Sequence, residues 1–220
     1  MNRKSIIQEY VVLATNEKGK LSSEGKVGVI ASAIAELILK NIIVITDKKV
    51  EIKNELPKEL HYLNSFYEYL KVKPRKIQKV MSDYCMGITE KKMDMLIASV
   101  GESLVLDELA IKGTEGILGN KETYVPAQDY KEDLLALVKE EIRQEEEMSA
   151  QTMSLACILQ ETKCLKRYLS KYESGMLKET LKSLKKDPQN KELKDMIDYV
   201  EEVQMVVVAA MAACVVVIGN

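Results

Sequence analysis

Apolar residues recur along this chain mostly at intervals of three and four, the spacing that gathers them on one face of an α-helix. Between residues 5 and 15 that face carries Ile6, Ile7, Tyr10, Val11, Leu13 and Ala14, and a loop around Gly19 follows. Ser22 or Ser23 is placed to cap a second helix reaching about Lys40, with Val27, Ile30, Ala31, Ile34, Leu37 and Ile38 inward. Its Gly28, Ala31, Ala33 and Ala35 would let a neighbouring helix come close. Residues 42–46 and 50–53 are β-branched runs around Asp47-Lys48-Lys49, the pattern of a hairpin. Helical spacing returns through Leu60, Leu63, Phe66, Tyr67 and Leu70, stops before Pro74, and resumes at Ile77, Val80 and Met81. A longer helix is predicted over residues 93–112, closed by Gly113. Gly119-Asn120 signals a second hairpin, and further helices are expected near 129–147, 149–170, 173–186 and 191–218.

The last of these holds an unbroken apolar run of 14 residues, 205–218. As a helix it would measure about 21 Å, short of the ~30 Å hydrocarbon layer, so burial among other helices is expected rather than a membrane span. Glu9 interrupts the apolar stretch near the start, so no secretory leader is expected. With only ten Gly and four Pro in 220 residues, tight turns are too few for a sandwich or barrel. The expected fold is mainly α: a single helical domain over residues 1–220, with a buried apolar C-terminal helix and two short β-hairpins.

Charge and chemistry narrow the function. A net charge of −2 argues against a dedicated nucleic-acid partner. The even balance hides a basic segment, 163–186, and an acidic one, 131–147; the first could favour an anionic membrane. Cys85, Cys157, Cys164 and Cys214 form no CxxC pair and are read as buried thiols in a reducing compartment. His61 is the only imidazole, so neither a metal site, a cofactor nor a catalytic residue is expected. Gly113-x-x-Gly116-x-x-Gly119 lies between helix and strand and matches no phosphate-loop pattern. Glu36, set among apolar residues, is expected to be partly buried with hydrogen-bond partners. The second helix and its hairpin also outline a winged helix, which makes a DNA-binding regulator the alternative. That helix offers only Lys26 and Lys40 as cations beside Glu24 and Glu36.

The run Glu9-Tyr-Val-Val-Leu-Ala-Thr-Asn-Glu-Lys-Gly-Lys20, followed by Ala33-Ile-Ala-Glu36-Leu-Ile-Leu-Lys-Asn-Ile-Ile43, resembles the opening of the Golgi phosphoprotein 3 family. Ile111-Lys112-Gly113, Met153-Ser-Leu-Ala156 and Val206-Val-Val-Ala-Ala-Met211 continue the likeness in order. The resemblance implies a helical, non-enzymatic peripheral membrane adaptor, cytoplasmic and reversibly membrane-associated. Its eukaryotic relatives bind phosphatidylinositol 4-phosphate, coatomer and the tails of membrane-protein clients. It also implies a hairpin used in self-association and membrane contact, here Ile117, Leu118, Gly119 and Asn120. The family's head-group tryptophan is missing, and its arginines fall at Ile30, Ser99 and Glu102, as expected of a prokaryotic or diverged member. The nearest cations for a lipid head group are Lys18, Lys20 and Lys26, and the expected partners are an anionic membrane, client tails and further copies of the chain.

Overall fold

Helix α1 (Ile6–Ala14) starts at Ser5, whose side chain accepts from the Gln8 N–H while the Gln8 side chain accepts from the Ser5 N–H. All nine residues of α1 are buried, Gln8 and Glu9 included. The sequence pattern predicted one inward face. The helix is instead enclosed on every side, by α2 (Ser23–Leu39), α5 (Lys91–Leu106), α6 (Gln128–Arg143) and α7 (Ala150–Glu161). The computed structural model containing them describes residues 3–85, 91–115, 121–143 and 148–184, together with Met205 and Val208. It is mainly helical, with eight α-helices and two small antiparallel sheets among the described residues.

Helices α1, α2 and α7 form the centre of the core. Ser22 caps α2 by accepting the Gly25 N–H at 3.0 Å. At Gly28 the α1–α2 approach is close enough that an added Cβ would overlap the phenol end of Tyr10. The Tyr10 hydroxyl is held there by the Gly25 carbonyl and Thr162 Oγ1, each at 3.1 Å. Burial at this centre is what drives folding, at about 1.5–3 kcal/mol for each fully buried large apolar side chain.

Helix α2 closes on Asn41, in the left-handed region at φ 58°, with the Ile42 N–H donating to the Leu37 carbonyl at 2.8 Å. The chain turns straight into β1 (Ile43–Thr46), which pairs with β2 (Lys49–Ile52). Asp47 and Lys48 both have positive φ, so the turn has two residues and β2 begins at Lys49. A third strand, β3 (Arg75–Lys76), adds to β2 and turns the expected hairpin into a three-stranded sheet. Two residues carry no periodicity, so sequence pattern alone does not reveal it. Between β2 and β3 lie a 3₁₀ segment (Lys58–Leu63), kinked by non-helical geometry at Leu60, and α3 (Asn64–Lys71), which follows it directly; α4 (Ile77–Cys85) follows β3.

The predicted 93–112 helix is shorter than expected. Helix α5 ends at Leu106, and Glu108 repeats the device of Asn41, with φ 59° and a Leu109 N–H to Leu104 carbonyl bond of 2.8 Å. Residues 110–112 belong to β4 (Ala110–Glu115), paired with β5 (Lys121–Pro126), and Gly113 lies inside the strand. Ala110 points in and Ile111 is 69% exposed, the alternation of a strand rather than a helix. The helix expected over 149–170 likewise stops at the end of α7, where Lys163 is left-handed, and continues as a 3₁₀ turn (Cys164–Arg167) before α8 (Lys171–Leu184).

Of the apolar run 205–218, Met205 and Val208 are described as helical; Met205 lies against the core and Val208 is exposed. The remainder of the expected C-terminal helix, the hairpin tip Ile117, Leu118, Gly119 and Asn120, and Cys214 lie outside the described residues. Cys157 and Cys164 are buried as expected, whereas Cys85 is only half-buried. Among the described residues no helix is long and apolar enough to cross a membrane.

Candidate functional site

Two glycines bring the first loop and the second hairpin together. Gly19 has φ +70°, and a Cβ there would stand 2.5 Å from the Tyr124 carbonyl oxygen, so only glycine lets the loop lie on β5. Asn16 holds the loop's shape: its Oδ1 accepts the N–H groups of Lys18 at 2.9 Å and Lys20 at 3.0 Å. On the other side, Gly101 of α5 leaves room for the Tyr124 ring, which a Cβ would overlap. The Tyr124 hydroxyl donates to Glu102 at 3.2 Å and Glu122 at 3.3 Å, and Glu102 of α5 is paired with Lys112 of β4. Burial and then the Glu102 charge push the Tyr124 hydroxyl up, while the bond from Lys112 holds the Glu102 carboxyl below its usual range.

Between these elements opens a cleft of about 670 Å³ whose lining includes Lys20, Lys26, Asp94, Ile97, Glu122 and Tyr124. Lys20 and Lys26, both half-buried, line this cleft together. Asp94 and Glu122 share the cleft with them, which sequence spacing does not disclose because they come from α5 and β5. Lys18 is exposed and belongs to an adjoining cleft with Lys131 and Arg167; Lys20 lines both. Ile30, one of the positions aligned with head-group arginines, is fully buried inside α2 and reaches neither cleft. Ser99 is half-buried on α5, and Glu102 is engaged with Lys112.

Beyond this geometry, a family model for Golgi phosphoprotein 3 (GPP34) matches residues 6–200. The chain belongs to the Golgi phosphoprotein 3 family. Among curated proteins, none matches it. The winged-helix alternative loses its structural basis in this Golgi phosphoprotein 3 domain. Helix α2 is buried at Gly25 and throughout residues 27–37, so it has no free face to lay in a DNA groove.

A second polar centre lies at the start of α1. Glu9, fully buried, receives both Arg3 Nε and Arg3 Nη2 at 2.7 Å, the Lys4 N–H at 3.1 Å and Gln151 Nε2 at 2.9 Å. Glu36, 2% exposed, accepts the Ile6 N–H at 2.5 Å and so satisfies one of the unpaired donors at the N-terminus of α1. Burial raises the Glu36 carboxyl, opposed by that bond and by Lys40. The expected burial of Glu36 is met, and its visible work is structural. His61 is exposed, its Nδ1 lying 3.2 Å from the Lys58 carbonyl. Among the described residues no group of three or more His, Cys, Asp or Glu could hold a metal ion.

Proposed function

We propose that this Golgi phosphoprotein 3-type protein is a non-enzymatic adaptor that attaches reversibly to anionic membrane surfaces from the cytoplasmic side, through the face shared by its first loop and second hairpin. The supporting observation is the convergence of Lys20 and Lys26 on a cleft whose opposite wall is β5 of that hairpin. Charges at the cleft draw the surface in, and the tip residues Ile117 and Leu118 insert shallowly, a two-signal attachment that stays reversible. Asp94 and Glu122 oppose the lysines, so a single copy binds weakly and self-association strengthens attachment by avidity. Lysines act as point charges where arginines would grip a phosphate with two parallel bonds, so the preference for phosphatidylinositol 4-phosphate over other anionic lipids is small. Client tails of membrane proteins would be held by the same membrane-attached body.

Sedimentation with vesicles of neutral phosphatidylcholine, and with charge-matched vesicles containing phosphatidylserine or phosphatidylinositol 4-phosphate, tests this reading. Both anionic sets should pull the protein down and the neutral set should not. Lys20→Ala/Lys26→Ala should weaken binding by about thirtyfold, given roughly 1 kcal/mol for each well-placed cation. Equal, negligible sedimentation with all three would refute the proposal.

A further inference from the structure

The carboxyl end of α1 is covered by cations from distant parts of the chain. Lys131 Nζ of α6 donates to the Thr15 carbonyl at 2.9 Å, and Arg167 Nη2 of the 3₁₀ turn donates to the Ala14 carbonyl at 3.3 Å. The Tyr168 hydroxyl donates to the Leu13 carbonyl at 2.8 Å, and Lys131 Nζ stands 5.8 Å from the centre of the Tyr168 ring. These contacts use one ammonium proton of Lys131 and only part of the five-donor guanidinium of Arg167. Both side chains also line a cleft of about 650 Å³, together with Asn16, Lys18 and Lys20 of the first loop and Gln128 of α6.

Four cations therefore converge where Glu17 is the single acid among the lining residues. The helix end adds a partial negative charge of about one half, and even with Lys20 set against Asp94 and Glu122 of the other cleft, Lys18, Lys131 and Arg167 leave a positive excess. Burial and, after it, the neighbouring Arg167 pull the Lys131 ammonium below its usual range, with Glu17 opposing them. An anion between the two cations would relieve their repulsion.

We propose that the cleft formed by Lys18, Lys20, Lys131 and Arg167 is an anion site that takes a phosphate monoester or diphosphate, in addition to the Lys20–Lys26 cleft. The planar guanidinium supplies a fork for two phosphate oxygens, and the ammonium groups supply point charges around the rest. The same chemistry is offered by a soluble phosphate compound and by a lipid with a terminal phosphate. The inference does not depend on membrane attachment by the other cleft.

Calorimetric titration of the full chain with inorganic pyrophosphate at fixed ionic strength tests it. The wild type should bind one equivalent. Lys18→Ala, which touches none of the α1 carbonyls, should weaken binding about fivefold, and Arg167→Gln should weaken it further. Lys79→Ala, on α4 and lining neither cleft, should leave it unchanged. If Arg167→Gln fails to fold, Lys18→Ala against Lys79→Ala decides alone. A second arm compares vesicles containing phosphatidic acid with charge-matched phosphatidylserine vesicles. A preference for phosphatidic acid that Lys18→Ala removes supports a lipid source, and pyrophosphate binding without it supports a soluble one. No pyrophosphate binding together with no such preference overturns the proposal, as does an equal loss in Lys18→Ala and Lys79→Ala. Because pyrophosphate carries no membrane, failure here is separable from failure of vesicle attachment.

Discussion

Replacing Arg3 by Met removes the cation from a buried carboxylate while keeping an unbranched apolar stem in its place. Glu9 is fully enclosed and Arg3 is 23% exposed, so the loss strands the negative charge without opening it to much water. Removing one partner of a buried ion pair typically costs about 3–5 kcal/mol. Glu9 would still accept from the Lys4 N–H and Gln151 Nε2, which places the expected cost near the lower end, about 3 kcal/mol. Part of that cost comes from the Arg3 bonds to Glu141 and Thr152, each at 2.9 Å, which tie α6 and α7 to the start of α1. Urea unfolding followed by far-ultraviolet circular dichroism measures it. Adding Glu9→Gln removes the stranded charge but keeps an acceptor oxygen, so the double variant should recover at least about 1 kcal/mol relative to the sum of the single changes. A loss under about 1 kcal/mol for Arg3→Met, or strict additivity in the double variant, would refute the claim that this pair is coupled and desolvated.

Gly28→Ala should cost about 1–3 kcal/mol, because Tyr10 is pinned by Gly25 and Thr162 and cannot swing away; Gly175→Ala, with open space around it on α8, should be neutral or gain up to about 1 kcal/mol, and thermal unfolding compares the two. Gly19→Ala should both destabilise the fold and weaken vesicle binding, since its positive φ and contact with the Tyr124 backbone place Lys20 at the cleft; intact vesicle binding would count against that geometry. Glu36→Gln should change the pH dependence of stability. The folded carboxyl sits above its ordinary 4.5, so its contribution is fully present below that value and is lost as pH rises through the raised one. Relative to wild type, the glutamine variant should therefore gain stability as pH rises above 4.5, and a difference that is flat or reversed would count against a desolvated Glu36.

The helical character of the chain, helix starts near Ser5 and at Ser22 or Ser23, and the burial of Glu36 are legible in local spacing; only the structure picks Ser22 as the cap. Each reports what a short segment prefers for itself. The ends of α2 and α5 are not legible in this way, since Asn41 and Glu108 occupy the left-handed position that glycine usually marks. Strand β3 exists only because β2 offers it an edge, and α1 has no exposed face because four other helices surround it. The clefts show the same division. Lys20 and Lys26 are close in the chain and could be paired from the sequence, whereas Asp94 and Glu122 join them from α5 and β5, and Lys131 and Arg167 join Lys18 and Lys20 from α6 and the turn after α7. Periodicity determines which side of a segment seeks the core. Which charged side chains then meet across a cleft is settled by how distant segments stack, and a linear pattern holds no record of those distances.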